Sequence, residues 1–357
     1  MGIAFNGFLE MYGEGKLLAF GGAGIGLLFG FFAQRSKFCL RAAVIDFWHG
    51  HFKDKLSIWL LAFSAALIGT QALVLWGGLD TNGARQIASR GSLSGAMVGG
   101  LLFGIGMILT RGCASRLLIL SANGNLRALL SGLIFAVAAQ SSLSGALMPA
   151  RIAISELSTI EGGPGRDLLA LMGTGHMTGL VLGFLCLFLA VYFGSRSATK
   201  PVGLWIGGIG TGLSVAMAWG FTQWVAHNSF EPIQIQGLTF SGPSAEWLMR
   251  VLQSPAPKIG FEFGLLPGVF VGSFVGALVG KEFKLEGFKD GYSMRRYIAG
   301  AILMGFGAML AGGCAIGAGV TGGAIFALTS WVSLVGMWLG AGITDRLLDT
   351  TATHKHP

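Results

Sequence analysis

Long apolar stretches recur along this chain and constrain its fold more than any other feature. A helix of about 20 apolar residues crosses the hydrocarbon core of a bilayer. Charged residues make up 11% of the 357 residues and hydrophobic residues 53%, whereas a soluble protein carries about 25% charged residues. A soluble enzyme has no room to bury that much apolar surface, and a disordered chain contains few apolar residues. The sequence therefore predicts an all-α polytopic membrane protein embedded in a lipid bilayer.

We predict about nine transmembrane helices plus short re-entrant helices within a single membrane domain, 1–357. Several apolar stretches are short, which is typical of spans that are broken by glycine or continued by a re-entrant segment. Glycine accounts for 60 residues, and small residues allow membrane helices to pack closely. The nine predicted spans are 17–33, 56–78, 92–109, 126–148, 168–194, 202–224, 265–280, 297–311 and 324–343.

The distribution of basic residues predicts the orientation of the chain. Basic residues accumulate on the cytoplasmic side of a membrane protein, so we predict a cytoplasmic C-terminus and an N-terminus outside. The same distribution explains the net charge of +8 without a nucleic-acid partner. The start of the chain lacks the basic region of a signal peptide, so no cleavable signal is expected. Most of the 24 lysines and arginines lie in 34–55, 110–127, 195–201, 281–296 and the C-terminal tail.

Two similar segments indicate an internal repeat. Phe103–Ser115 reads FGIGMILTRGCAS and Met304–Ile316 reads MGFGAMLAGGCAI, with six identities at a constant offset of 201 residues. The first copy ends the third predicted span and the second ends the eighth, so the two copies run in opposite directions. Inverted-topology repeats are common in transporters and channels. We predict a first repeat over 17–148, a connecting span over 168–194 and a second repeat over 202–343.

Three cysteines share one sequence context. Cys39, Cys113 and Cys314 each follow the end of an apolar span, where one helix stops and another starts. Such a break leaves free backbone N–H groups, and helix N-termini favour anions. A thiol is a weak hydrogen-bond donor and a polarisable acceptor, so it can contact a sulfur-bearing solute without holding it tightly. Cys186 lies inside an apolar run, and we expect it to pack as a small hydrophobic residue.

Polar residues flank two of these cysteines, and two interpretations of them stay open. Charges inside a membrane are costly and mark functional sites, but charges in a cytoplasmic loop anchor helices. Arg41 can pair with Asp46 in a purely structural role. His176 can carry protons or contact a solute, although a hydrogen bond to a neighbouring helix is the more ordinary role. The candidate pathway residues are Gln34, Arg35, Lys37, Cys39, Arg111, Gly112, Cys113, Gly313 and Cys314, with Arg116 nearby.

Several catalytic patterns do not occur in the sequence. No Walker A motif is present, so ATP-driven pumping by this chain is not expected. No Cys/His pair has zinc-finger spacing, no CxxC redox pair exists, and no GxSxG elbow appears. We therefore predict a protein that is not an enzyme and has no cofactor or metal site.

The cysteine contexts resemble the YeeE/YedE family of bacterial inner-membrane proteins. The resemblance covers nearly the whole chain and rests on Gln34–Cys39, on Gly104–Cys113 and on Gly305–Cys314. It implies an hourglass-shaped protein whose short re-entrant helices meet near the middle of the membrane. It further implies that thiosulfate passes between Cys39, Cys113 and Cys314 through S–H···S hydrogen bonds without covalent change, beside a cytoplasmic TusA-like sulfurtransferase.

One departure from the family leaves the solute open. Arg111 stands where glycine is common in the family, and its positive charge suits an anion or marks another substrate. The leading hypothesis is a thiosulfate uptake permease of the bacterial inner membrane. The alternatives are a transporter of another sulfur or selenium compound or of a soft metal ion, or a membrane thiol that carries sulfur as a persulfide.

Overall fold

The computed structural model describes residues 13–52, 54–196, 202–229, 232–252, 254, 259–287 and 291–353. The described chain is almost entirely helical, which confirms the predicted all-α class. Gly91–Ser92 (β1) and Thr159–Ile160 (β2) form one short antiparallel pair within it. Residues 1–12 and 354–357 lie outside the described residues, so the predicted sides of the two termini stay predictions.

The α-helices differ widely in length, and the longest ones correspond to the predicted spans. They are α1 (Glu14–Arg35), α2 (Leu40–Trp48), α3 (Asp54–Leu75), α4 (Arg85–Ala88), α5 (Leu93–Leu109), α6 (Ala114–Ala122), α7 (Leu126–Ser144), α8 (Met148–Ser155), α9 (Leu168–Leu171), α10 (His176–Ser195), α11 (Val202–Asn228), α12 (Ser241–Leu252), α13 (Phe261–Val279), α14 (Gly291–Leu310) and α15 (Leu328–Thr353). A π-helix, Ala315–Gly322, follows α14, and 3₁₀ turns cover Thr81–Gly83 and Pro164–Arg166.

Eight helical stretches of the described chain are long and apolar enough to cross a membrane. They overlap the first eight predicted spans. The ninth predicted span, 324–343, falls on α15, which has 26 residues but is less apolar because serine, threonine and tryptophan interrupt it. The eight stretches are Glu14–Trp48, Asp54–Leu75, Leu93–Ala122, Leu126–Ser144, His176–Ser195, Val202–Asn228, Phe261–Val279 and Met294–Gly322.

The fifth span begins later than its apolar run predicts. The run 168–194 is divided, because Leu168–Leu171 forms a separate short helix and Gly173 then takes a left-handed conformation with φ of 65°. Glycine adopts this conformation without steric cost, so the chain can turn before α10 begins at His176. The apolar residues before the turn therefore do not belong to the spanning helix.

One face of α10 carries large apolar side chains that no other part of the described chain covers. Met177, Val181, Phe184 and Phe188 are each more than half exposed, and they recur every three or four residues along the helix. This spacing places them on one side of an α-helix. An uncovered apolar stripe of this kind is what a lipid-facing helix presents, so the chain is a multi-pass membrane protein.

Glycines bring α1 and α13 into backbone contact. A Cβ atom added at Gly26 would lie 2.5 Å from the carbonyl oxygen of Leu265, and one added at Gly30 would lie 2.9 Å from Ser273 Oγ. The contacts advance in the same direction along both helices, so the helices are parallel. Small residues permit this close approach between membrane helices, and the glycine excess therefore serves packing here.

The repeated segments pack against each other in opposite directions. A Cβ atom at Gly99 of α5 would lie 2.6 Å from Gly307 O of α14, and one at Gly300 would lie 2.9 Å from Gly106 O. At the repeat offset of 201, Gly99 corresponds to Gly300 and Gly106 corresponds to Gly307, so each contact is the counterpart of the other. An antiparallel, self-matching contact is what an inverted repeat predicts. The repeat boundaries 17–148 and 202–343 remain a prediction.

Candidate functional site

Each of the three predicted cysteines is the residue immediately before a short helix. Cys39 precedes α2, Cys113 precedes α6, and Cys314 precedes the π-helix. The residue two positions before each cysteine takes a left-handed conformation, with φ of 54° at Lys37, 59° at Arg111 and 76° at Gly312. The same local turn therefore ends one helix and starts the next at all three places.

The three cysteines differ in burial and in their hydrogen bonds. Cys113 and Cys314 are buried, whereas Cys39 is partly exposed, and all three are free thiols. Cys113 Sγ lies 3.4 Å from Ser115 Oγ, and Cys314 Sγ accepts a hydrogen bond from the Gly317 N–H at 3.5 Å. Cys113 and Cys314 belong to the same cluster of buried residues, whereas Cys39 lines a cavity. Two of the thiols therefore lie in the interior and the third lies at an opening.

A basic cavity of about 430 Å³ opens beside Cys39. Its wall contains Cys39 together with five cationic side chains and one acidic side chain, so its electrostatic potential favours anions. Arg111 is exposed and lines this cavity, and it forms no ion pair with a carboxylate among the described residues. The charged lining residues are Lys37, Arg41, Lys55, Arg111, Arg116 and Asp54.

A second polar cavity, of about 520 Å³, lies next to the first and shares Lys37 and Arg116 with it. Gln34 is buried at its wall. Gln34 Nε2 donates a hydrogen bond to Glu282 Oε2 at 2.8 Å, and Arg116 donates to Gln34 Oε1 at 3.4 Å. Lys37 Nζ lies 3.0 Å from Glu282 Oε1. The predicted residues Gln34 and Lys37 thus belong to one polar network beside Cys39.

The remaining candidate residues lie outside the lining of the Cys39 cavity. Arg35 ends α1 and its guanidinium lies against Gly280. Gly112 is buried beside Leu117, and a Cβ atom at Gly313 would lie 2.6 Å from the Ala318 amide nitrogen. A side chain is therefore excluded by close packing at Gly313 but not at Gly112, and neither glycine offers a side chain to a solute.

Three weaker candidates have ordinary structural contacts. His176 Nδ1 lies 3.1 Å from Gln71 Oε1 of α3, which is the hydrogen bond to a neighbouring helix that the sequence favoured. Cys186 is partly buried and packs against the hydrophobic core. Asp46 Oδ1 lies 4.0 Å from Lys55 Nζ on α3, so the structure places a basic partner beside Asp46 that the sequence did not suggest.

Glu282 is the site residue that sequence reasoning missed. It lies in a charged segment after α13 with equal numbers of lysines and glutamates over 281–287, more than 240 positions from its partner Gln34. From the sequence, Lys55 is only one of the loop charges, yet Lys55 lines the Cys39 cavity. Nothing in the sequence specifies which cations face which acidic residue.

The structure combines several membrane-spanning helices with helix breaks, thiols and a basic cavity. Non-helical backbone at membrane depth is tolerated where it lines a pathway. These are the features of a membrane transport protein. The chain belongs to the sulphur transport family, whose sequence model matches residues 35–343. It is 28% identical over 342 residues to the thiosulfate transporter TsuA of Spirochaeta thermophila, covering 90% of this chain and 98% of that protein. It is 24% identical over 345 residues to the thiosulfate transporter TsuA of Escherichia coli, covering 90% and 92%.

Proposed function

We propose that this protein is a thiosulfate uptake permease of the bacterial cytoplasmic membrane. The observation that carries the proposal is the position of the three thiols, each at a helix break, with Cys113 and Cys314 buried and Cys39 opening into a basic cavity. The two similar proteins named as thiosulfate transporters support the choice of solute. The broader role, transport of a sulfur anion by a multi-pass membrane protein, follows from family membership.

The proposed path runs along Cys314, Cys113 and Cys39. Thiosulfate has a terminal sulfur that accepts a hydrogen bond from a thiol, and its oxygens accept hydrogen bonds from backbone N–H groups at the helix starts. Thiol donors are weak, so the solute leaves each site as readily as it arrives, which conduction requires. No bond of the solute forms or breaks, so the chain acts as a transporter and not as an enzyme.

The basic cavity supplies attraction at the Cys39 end. Arg111 and Lys55 line it beside the thiol, and cations on the walls of a cleft concentrate anions there. We assign this end to the cytoplasm, because basic residues concentrate on that side. The direction of transport is then inward, and a cytoplasmic TusA-like sulfurtransferase accepts the solute at this end.

Cysteine substitutions test the proposed path. We expect Cys39→Ala, Cys113→Ala and Cys314→Ala each to lower uptake of ³⁵S-labelled thiosulfate about two- to tenfold, since the loss of one hydrogen bond changes a rate by about that factor. Cys186→Ala is the matched control, because Cys186 packs against the hydrophobic core away from the helix breaks, and it should keep wild-type uptake. Each variant is first checked for membrane insertion.

Two results would contradict the proposal. Uptake that survives Cys113→Ala and Cys314→Ala in correctly inserted protein removes the thiols from the path. A stable persulfide on one of the three cysteines after exposure to thiosulfate, detected by mass spectrometry, would support a covalent sulfur carrier instead.

A further inference from the structure

The segment 281–287, which follows α13, is held in place by backbone hydrogen bonds to the turn between α6 and α7. The Lys284 N–H donates to Asn123 O at 3.2 Å, and the Glu286 N–H donates to Gly124 O at 3.0 Å. The Leu126 N–H in turn donates to Glu286 O at 3.0 Å. This pairing fixes the position of the segment, and with it the position of Glu282.

The Glu282 carboxylate lines the second cavity beside Lys37, which lines both cavities. Its Oε2 accepts a hydrogen bond from Gln34 Nε2 at 2.8 Å, and its Oε1 lies 3.0 Å from Lys37 Nζ. Arg116 holds Gln34 by donating to its Oε1 at 3.4 Å, which leaves the Gln34 amide group free to donate. Lys37 and Arg116 line both cavities. At this junction of the two cavities, the carboxylate therefore contacts the Lys37 ammonium and the Gln34 amide, while Arg116 contacts the oxygen of the same amide.

We propose that this junction is a binding site for a divalent oxyanion, formed by Lys37, Arg116 and Gln34, and that Glu282 occupies it until the solute displaces the carboxylate. The proposal rests on the proposed function, since it assigns a further site to the same path. The ammonium and amide groups that contact the carboxylate suit the oxygens of thiosulfate equally well, and the Arg116 guanidinium in the same cavity wall is a further donor for an oxyanion.

The exposure of the site makes the exchange feasible. The Lys37 side chain is 61% exposed and that of Glu282 31% exposed, so water screens their attraction and the ion pair is weak. A dianion carries twice the charge of a carboxylate and is attracted more strongly by the same cations. The displaced Glu282 side chain can turn toward water in the second cavity, whose wall it already forms.

The test compares two glutamates of the same segment. Glu282→Gln removes the competing charge and keeps an oxygen for Gln34. Glu286→Gln removes an equal charge from the same cavity wall, but the Glu286 carboxylate accepts from Asn125 Nδ2 at 2.7 Å and not from the groups of the proposed site. Binding of ³⁵S-thiosulfate to each purified full-length protein is measured by equilibrium dialysis at several salt concentrations, beside uptake into liposomes. We expect Glu282→Gln to bind thiosulfate about two- to fivefold more tightly than wild type, and Glu286→Gln to match wild type.

The outcomes separate this proposal from the proposed function. Equal changes in the two variants, no change in Glu282→Gln, or no thiosulfate binding by any of the proteins overturns the junction site. Tighter binding by Glu282→Gln alone supports the site, even if wild type carries no thiosulfate into liposomes, in which case the transport proposal falls. Glu282→Ala is the second variant, and it should show the same tighter binding if Glu282→Gln does not accumulate.

Discussion

Arg111 has a strained backbone conformation and carries a charge into the Cys39 cavity. Replacing it with glycine removes both, and the strain and the charge are then measured separately, as stability and as KM. Its φ of 59° is left-handed, and the residue at the equivalent position of the second copy is Gly312, with φ of 76°. A side chain in this conformation costs about 1–2 kcal/mol. Glycine also makes the unfolded chain more flexible, which costs about 0.4–1 kcal/mol. We therefore expect Arg111→Gly to leave the folded protein unchanged in stability or more stable by about 1 kcal/mol.

The same substitution removes a cation from the Cys39 cavity. A partly solvated charge contributes up to about 1 kcal/mol to attraction of an anion, so KM for thiosulfate should rise about fivefold. Tryptophan fluorescence during heating in detergent reports the unfolding midpoint, and uptake into liposomes reports KM. Arg111→Lys retains the charge and the strain, and it should keep the wild-type KM and midpoint.

One combination of results would contradict the two roles assigned to Arg111. If Arg111→Gly lowers the unfolding midpoint by several degrees and leaves KM unchanged, then Arg111 is a structural residue and its charge does not act on the solute. Arg111→Asn provides an internal check, because asparagine tolerates the left-handed conformation but carries no charge, so it should raise KM as Arg111→Gly does.

Two further substitutions test the packing of the fold. Gly26→Ala should lower the free energy of unfolding in detergent by about 1–3 kcal/mol, because its Cβ atom would lie 2.5 Å from Leu265 O. The control is Gly24→Ala, whose Cβ atom would meet nothing within 4 Å, and it should be neutral or stabilising. Equal effects of the two substitutions would contradict the close packing of α1 against α13. Burial lowers the pKa of the Arg166 guanidinium, which donates to Thr329 Oγ1 at 2.7 Å. Arg166→Met should cost about 1–3 kcal/mol, and an unchanged unfolding midpoint would contradict it.

The sequence predicted the helix breaks well because the signals are local. A cysteine a few residues after the end of an apolar run marks the end of one helix and the start of another. The structure has this arrangement at Cys39, Cys113 and Cys314. The fifth span was placed less well. Its apolar run continues through the turn at Gly173, and hydropathy alone does not distinguish a spanning helix from an apolar turn beside one.

The sequence by itself determined the class of protein, the places of the first eight spans and the thiols at the helix breaks. These features depend on residues that are neighbours in the chain, through the length needed to cross a bilayer and the turns that glycine permits. Only the tertiary structure decided which charges face the cavity. Arg35 and Lys37 are two residues apart, yet Lys37 lines the cavity and Arg35 lies against Gly280. The contact of Gln34 with Glu282 joins segments far apart in the chain. Such contacts depend on how the helices pack at their glycines, and this packing is set by residues that are distant in the sequence.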